Sequence, residues 1–155
     1  MKENLRPRII EMLTTAYWME IETVTNYLAN SVDLDGVRAE EIKKALGSDI
    51  TQELTHAQAL ARRIKEVGGR VPGSIQFKAS QTYLQPPTQT IDVTTVIRGV
   101  IQAEKSAIEH YGKLIELSGE ANDYVTQDLC ITQLADEESH LITFQGFLKE
   151  YEHQA

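Results

Sequence analysis

Residues 52–58 read QELTHAQ and residues 136–142 read DEESHLI. Each stretch holds a Glu and a His three positions apart, Glu53 with His56 and Glu137 with His140. A spacing of three on a helix turns both side chains to the same side. For the first pair, that is the side on which Leu46, Ile50, Ala57, Leu60 and Ile64 recur at steps of three and four, so the charged pair lies on an apolar stripe. Two more carboxylates share this placement. Glu20 sits among Leu13, Ala16, Tyr17, Val24 and Tyr27, and Glu104 among Val93, Val96, Ile97, Val100, Ala107, Ile108 and Tyr111.

These stripes predict four helices, over about 7–31, 35–67, 92–118 and 122–151, the last with Val125, Leu129, Phe144 and Phe147 inward beside Glu137 and His140. The punctuation agrees. Pro7 falls in a first turn, Gly68 and Gly69 follow a last one, Asp92 is placed to cap the third helix, and SGEAND ends it. Between the second and third helices the chain reads GRVPGSIQFKASQTYLQPPTQT, far longer than the connections usual between bundle neighbours. A helix of about 30 residues spans roughly 45 Å, and about 22 extended residues reach roughly 70 Å, so this segment can run from one end of a bundle to the other. The expected fold is all-α: a single four-helix domain over residues 1–155, with a long crossover at about 68–91.

Composition narrows the function. A formal net charge of -8 argues against nucleic acid as a partner, since a duplex would be repelled. No apolar run is long enough to cross a bilayer, and the start, MKENLRPRII, has no apolar stretch before a cleavage site; a cytoplasmic protein with no membrane partner is expected. The single cysteine, Cys130, excludes an internal disulfide and fits a reducing compartment; it is expected to pack as a small hydrophobe.

Four ionised carboxylates in a low-dielectric interior would cost many kcal/mol unless something positive sat among them. Two divalent ions bring +4 against the -4 of Glu20, Glu53, Glu104 and Glu137, and neutral His56 and His140 add one donor each without disturbing that sum. A repeat supports the pairing independently: Glu20, Tyr27, Glu53 and His56 recur 84 residues later as Glu104, Tyr111, Glu137 and His140. Two similar halves related by a pseudo-twofold axis can hold one pair of ions between them. The donor set leaves the metal open between iron, manganese and zinc.

The motif Glu-x(6)-Tyr-x(25)-Glu-x-x-His, occurring twice, resembles the ferritin-like superfamily, nearest to bacterioferritin and to Dps-like ferritins with a di-iron site inside each subunit. The resemblance covers nearly the whole chain. It implies a ferroxidase for iron storage and detoxification under oxidative stress, with two iron ions per subunit. Fe(II) would be oxidised by O2 or H2O2 and stored as a ferric mineral in a hollow homo-oligomer. Glu53 and Glu137 would bridge the ions, Glu20 and His56 completing one position and Glu104 and His140 the other. The alternative is a rubrerythrin-like peroxide reductase or oxidase without storage, but such proteins add a Glu where this chain has Ala107. Haem is not expected, because Leu54 stands where bacterioferritins carry a haem-binding Met. Only fifteen residues follow His140, too few for a fifth helix after the fourth, which points to a twelve-subunit shell, with a dimer as the alternative.

Secondary roles follow from helical angle. Tyr27 and Tyr111 are placed to donate a hydrogen bond to a ligand carboxylate. Asp136 could accept from a ligand histidine, although its counterpart Gln52 breaks the symmetry. Glu22 and Glu138 are expected to face away, solvated or at an interface, and His110 to lie on the surface. Trp18 should point outward as an anchor for subunit contact. A third Glu-x-x-His, Glu150 to His153, has no matching upstream Glu and is expected to be a solvated tail.

Overall fold

The computed structural model describes residues 1–153. Four helices carry the fold: α1 (Arg6–Asp33), α2 (Glu40–Glu66), α3 (Val93–Glu120) and α4 (Tyr124–His153), with no strand among the described residues. Short 3-10 turns occupy Val37–Ala39, Ser74–Gln76 and Thr82–Leu84. Among the described residues no helix is long and apolar enough to cross a membrane.

Local chemistry sets the helix ends. Pro7 lies in the first turn of α1. Glu40 and Glu41 open α2 and Arg63 and Lys65 close it, each sign complementing the helix dipole. Gly68 follows with φ +88, the left-handed conformation in which helices commonly stop. Asp92 caps α3 by accepting from the Thr95 amide at 3.1 Å. At the head of α4, Asp123 accepts from Thr126 and from Arg63 Nη2 at 2.6 Å, tying the end of α2 to the start of α4. Gly36, at φ +95, and the 3-10 turn after it delay α2 to Glu40, later than the expected 35. Helix α4 runs past the expected 151 through Glu152 and His153, Gln154 and Ala155 lie outside the described residues, and Glu150 and His153 are exposed on its last turns.

α1 packs mainly on α2, and α3 mainly on α4, so the bundle is two hairpins laid together. Its core has two apolar ends. One gathers Tyr27, Leu46, Ile97, Val100 and Phe144; the other gathers Leu13, Leu60, Ile64, Leu114 and Cys130. Each fully buried Leu, Ile or Phe contributes roughly 1.5–3 kcal/mol. Along every helix the charged positions fall between these ends, which stack above and below one polar layer.

The crossover is held by groups that hydrophobicity does not mark. Glu22, expected to face away, is buried: its Oε1 accepts from the amides of Ser80 and Gln81, both at 2.7 Å, and its Oε2 from the Ser80 hydroxyl at 3.1 Å. Burial is possible because the carboxylate finds three donors. Gln81 in turn accepts from Asn26 and donates to Thr23. At Gly99 the crossover comes so close to α3 that a Cβ would sit 2.5 Å from the Tyr83 carbonyl, so the contact requires glycine. Trp18 does not stand free; Phe77 of the crossover packs against it, ring centroids 5.0 Å apart.

One expected stripe is displaced. In the first half of α4 the inward residues are Thr126, Cys130 and Gln133, while Val125 is 61 % exposed. Thr126 is satisfied by Asp123 and Arg63, and Gln133 donates from its side-chain amide to the His56 carbonyl. Hydrogen bonds here override the hydrophobic pattern.

Candidate metal centre

The polar layer brings together all six residues that the repeat singled out. Glu20, Glu53, His56 and Glu137 offer one donor atom each within 4.8 Å of one another, and so do Glu53, Glu104, Glu137 and His140. Glu53 and Glu137 belong to both groups. All six are buried, at 7 % exposure or less.

Both imidazoles turn Nδ1 inward. His56 Nδ1 lies 3.0 Å from Glu137 and 3.5 Å from Glu53; His140 Nδ1 lies 3.2 Å from Glu53 and 3.5 Å from Glu137. None of these approaches has the alignment of a hydrogen bond. His56 Nδ1, His140 Nδ1, both Glu53 oxygens and Glu137 Oε1 are buried without a hydrogen-bond partner. Buried polar atoms are almost always paired, so five orphans converging on one space are the mark of a site for cations.

The outer edges are well supported. The Tyr27 hydroxyl donates to Glu104 and the Tyr111 hydroxyl to Glu20, each tyrosine reaching the carboxylate of the opposite half. His56 Nε2 meets Asp136 Oδ2 at 3.0 Å, and His140 Nε2 meets Gln52 Oε1 at 3.0 Å. The His56 ring borders a groove of about 630 Å³ between α2 and α4, lined also by Gln52, Thr51, Thr55 and Asp136 among others. On the opposite side, between α1 and α3, the space beside the carboxylates shrinks to about 10 Å³ under Gln81.

Protons stand in for positive charge within the protein alone. Burial, aided by the charges of Glu137 and Glu53, pushes the Glu20 carboxyl well above its usual range, and burial with Glu137 does the same to Glu104. Burial also pushes Glu53 up, but His140 and His56 outweigh it and hold that carboxyl low. Burial alone would lower both imidazoles; the Glu137 and Glu53 carboxylates win and raise His56 to about 10 and His140 to about 11. Divalent cations and these protons therefore compete for the same atoms.

Sequence reasoning missed other groups. His110, expected on the surface, is partly buried against α1 with Nε2 2.8 Å from the Met12 carbonyl. Glu138 is exposed as expected. Cys130 is fully buried, and burial pushes its thiol up to about 12, so it packs as a hydrophobe.

The family model of the ferritin-like domain matches residues 10–153. The bacterioferritin of Desulfovibrio desulfuricans is 25% identical over 145 residues, covering 94% of this chain and 76% of the relative. The X-ray structure of that protein, which describes a diiron site in different catalytic states, superposes with a TM-score of 0.85 over 99% of this chain and 85% of that one at 24% identity. The DNA protection during starvation protein of Pyrococcus furiosus is 27% identical over 146 residues, 91% of this chain and 77% of the relative. A dodecameric thioferritin of Bacteroides fragilis superposes with a TM-score of 0.84 over 96% of this chain and 89% of that one, at 22% identity. With the bundle, its long crossover and the doubled Glu/Glu-x-x-His layer in place, the chain belongs to the ferritin-like domain family.

Proposed function

We propose that this chain is a ferroxidase that takes Fe(II) into the polar layer, oxidises it with O2 or H2O2, and passes Fe(III) on for storage in a homo-oligomer. The observation that carries this reading is the set of five buried donor atoms without hydrogen-bond partners. Unpaired buried groups cost about 1–3 kcal/mol each, and a pair of divalent cations satisfies all five at once. Kinship with a bacterioferritin favours iron over manganese or zinc.

In this reading Glu20 and His56 hold one Fe(II), Glu104 and His140 the other, and Glu53 and Glu137 lie between them and serve both. Two adjacent Fe(II) ions supply one electron each to the oxidant. The residues do the remainder. Tyr27 and Tyr111 fix the orientation of Glu104 and Glu20 by their hydroxyl hydrogen bonds. His56 and His140 give up their Nδ1 protons as the cation arrives, while the partners at Nε2 keep each ring in register. The α2/α4 groove offers ions a way in that the closed α1/α3 side does not.

The assembly belongs to the same proposal: a shell of twelve chains, with a dimer as the simpler alternative. Leu28 and Val32 on α1 and the fully exposed Ile75 of the crossover are apolar surface that neighbouring copies would cover. A rubrerythrin-like peroxide reductase remains the second reading, disfavoured because Ala107, beside the carboxylates, offers no seventh ligand.

Aerobic Fe(II) loading followed by gel filtration tests the reading. Rapid oxidation with iron retained on the protein supports ferroxidase and storage. Rapid oxidation without retention favours the second reading, and no acceleration over buffer refutes both.

A further inference from the structure

The groups contacting the two imidazoles are unequal. His56 Nε2 has a carboxylate oxygen, Asp136 Oδ2, at 3.0 Å. His140 Nε2 has a neutral amide oxygen, Gln52 Oε1, at the same distance, and the Asp49 carboxylate stands off at 3.8 Å, beyond hydrogen-bond reach. Positions 52 and 136 are themselves related by the 84-residue repeat. The glutamates, histidines and tyrosines of the layer match across the two halves, and the contrast sits where they do not.

The chemistry of the difference is direct. With Nδ1 turned to the cation, each ring carries its proton on Nε2 and donates it outward. A carboxylate accepting that proton makes the imidazole more basic and helps compensate the charge of the ion; an amide oxygen does so less. Outer partners of this kind change metal affinity by about 10- to 100-fold.

We propose that the two metal positions are filled in order, the one at His56 binding a divalent cation first and the one at His140 being the weaker, exchanging position, with Asp136 and Gln52 setting the order. This rests on the proposed reading of the layer as a two-metal centre. Asp136 and Gln52 are positioning residues, since they touch the rings and not the ions.

Co(II), followed by its visible absorption and by calorimetry, tests this without turnover. The expected result is two ions per chain in two steps separated by about 10- to 100-fold, and, in crystals given one equivalent, anomalous scattering beside His56. Asp136→Asn should weaken the first step towards the second. Gln52→Asp should strengthen the second towards the first, a gain that a merely structural role does not produce. Two ions bound with equal affinity, a first ion beside His140, or a separation unchanged in both variants overturns the ordering and leaves the two-metal centre standing. Fewer than two ions per chain at saturation removes the two-metal reading itself and the ordering with it.

Discussion

At the scale of single residues, Glu53 and Glu137 differ from the other carboxylates by belonging to both donor groups. Glu53→Ala should therefore lower the initial rate of Fe(II) oxidation by at least about 100-fold, more than loss of an outer partner costs; stopped-flow absorbance after mixing with O2 measures it, and an undiminished rate refutes the shared role. Tyr111→Phe removes the hydroxyl donated to Glu20. It should cost about 1–3 kcal/mol in metal-free protein, read from urea unfolding. The six clustered residues and both tyrosines were legible in the sequence because each appears twice at one offset, a signal independent of hydrophobicity. Glu22, Gln133 and His110 were not, because their burial depends on partners from distant segments: the amides of Ser80 and Gln81, the carbonyl of His56, the carbonyl of Met12. Periodicity on one helix carries no information about such partners.

Among the elements, the helices were legible and the crossover was legible only in length. Its path is set by Glu22 beneath residues 80 and 81 and by the missing side chain at Gly99. Glu22→Ala leaves two backbone donors without an acceptor, each worth about 1–3 kcal/mol. The loss should be local: limited proteolysis is expected to cut within 69–80 much faster than in the parent, with helix content nearly unchanged. Gly99→Ala should give the same pattern from the other side of the contact. The displaced stripe of α4 has a parallel cause. Val125 looks inward by composition, but Thr126 is the residue that Arg63 and Asp123 can reach.

For the whole molecule, charge balance couples stability to pH. His56 and His140 are raised in the folded state from an ordinary value of 6.5 to about 10 and 11. Their contribution is fully present below about 6.5, where both states are protonated, and is lost as pH rises towards 10–11, where the folded protein must surrender the protons. Metal-free protein should thus lose thermal stability between about pH 6.5 and 10, and saturating Zn(II) should flatten that decline by replacing the protons. A flat profile without metal contradicts the assignment. Assembly is decided by native mass spectrometry: twelve chains of 17.4 kDa give a species near 209 kDa, and a stable species of a different size, the dimer included, rejects the shell.

The exchange of tyrosines between the halves bears on how the chain reaches its native state. Each hairpin can form from contacts close in sequence, but Tyr27 meets Glu104 across 77 residues and Tyr111 meets Glu20 across 91. Such distant closures are slow, because loop entropy must be overcome before they yield anything. Neither hairpin alone holds a complete donor set. The complete donor set therefore assembles only when the two dock, and metal binding to it becomes a clock for that event. In refolding started in the presence of Co(II), helical circular dichroism should recover first and the visible colour of the bound metal only afterwards.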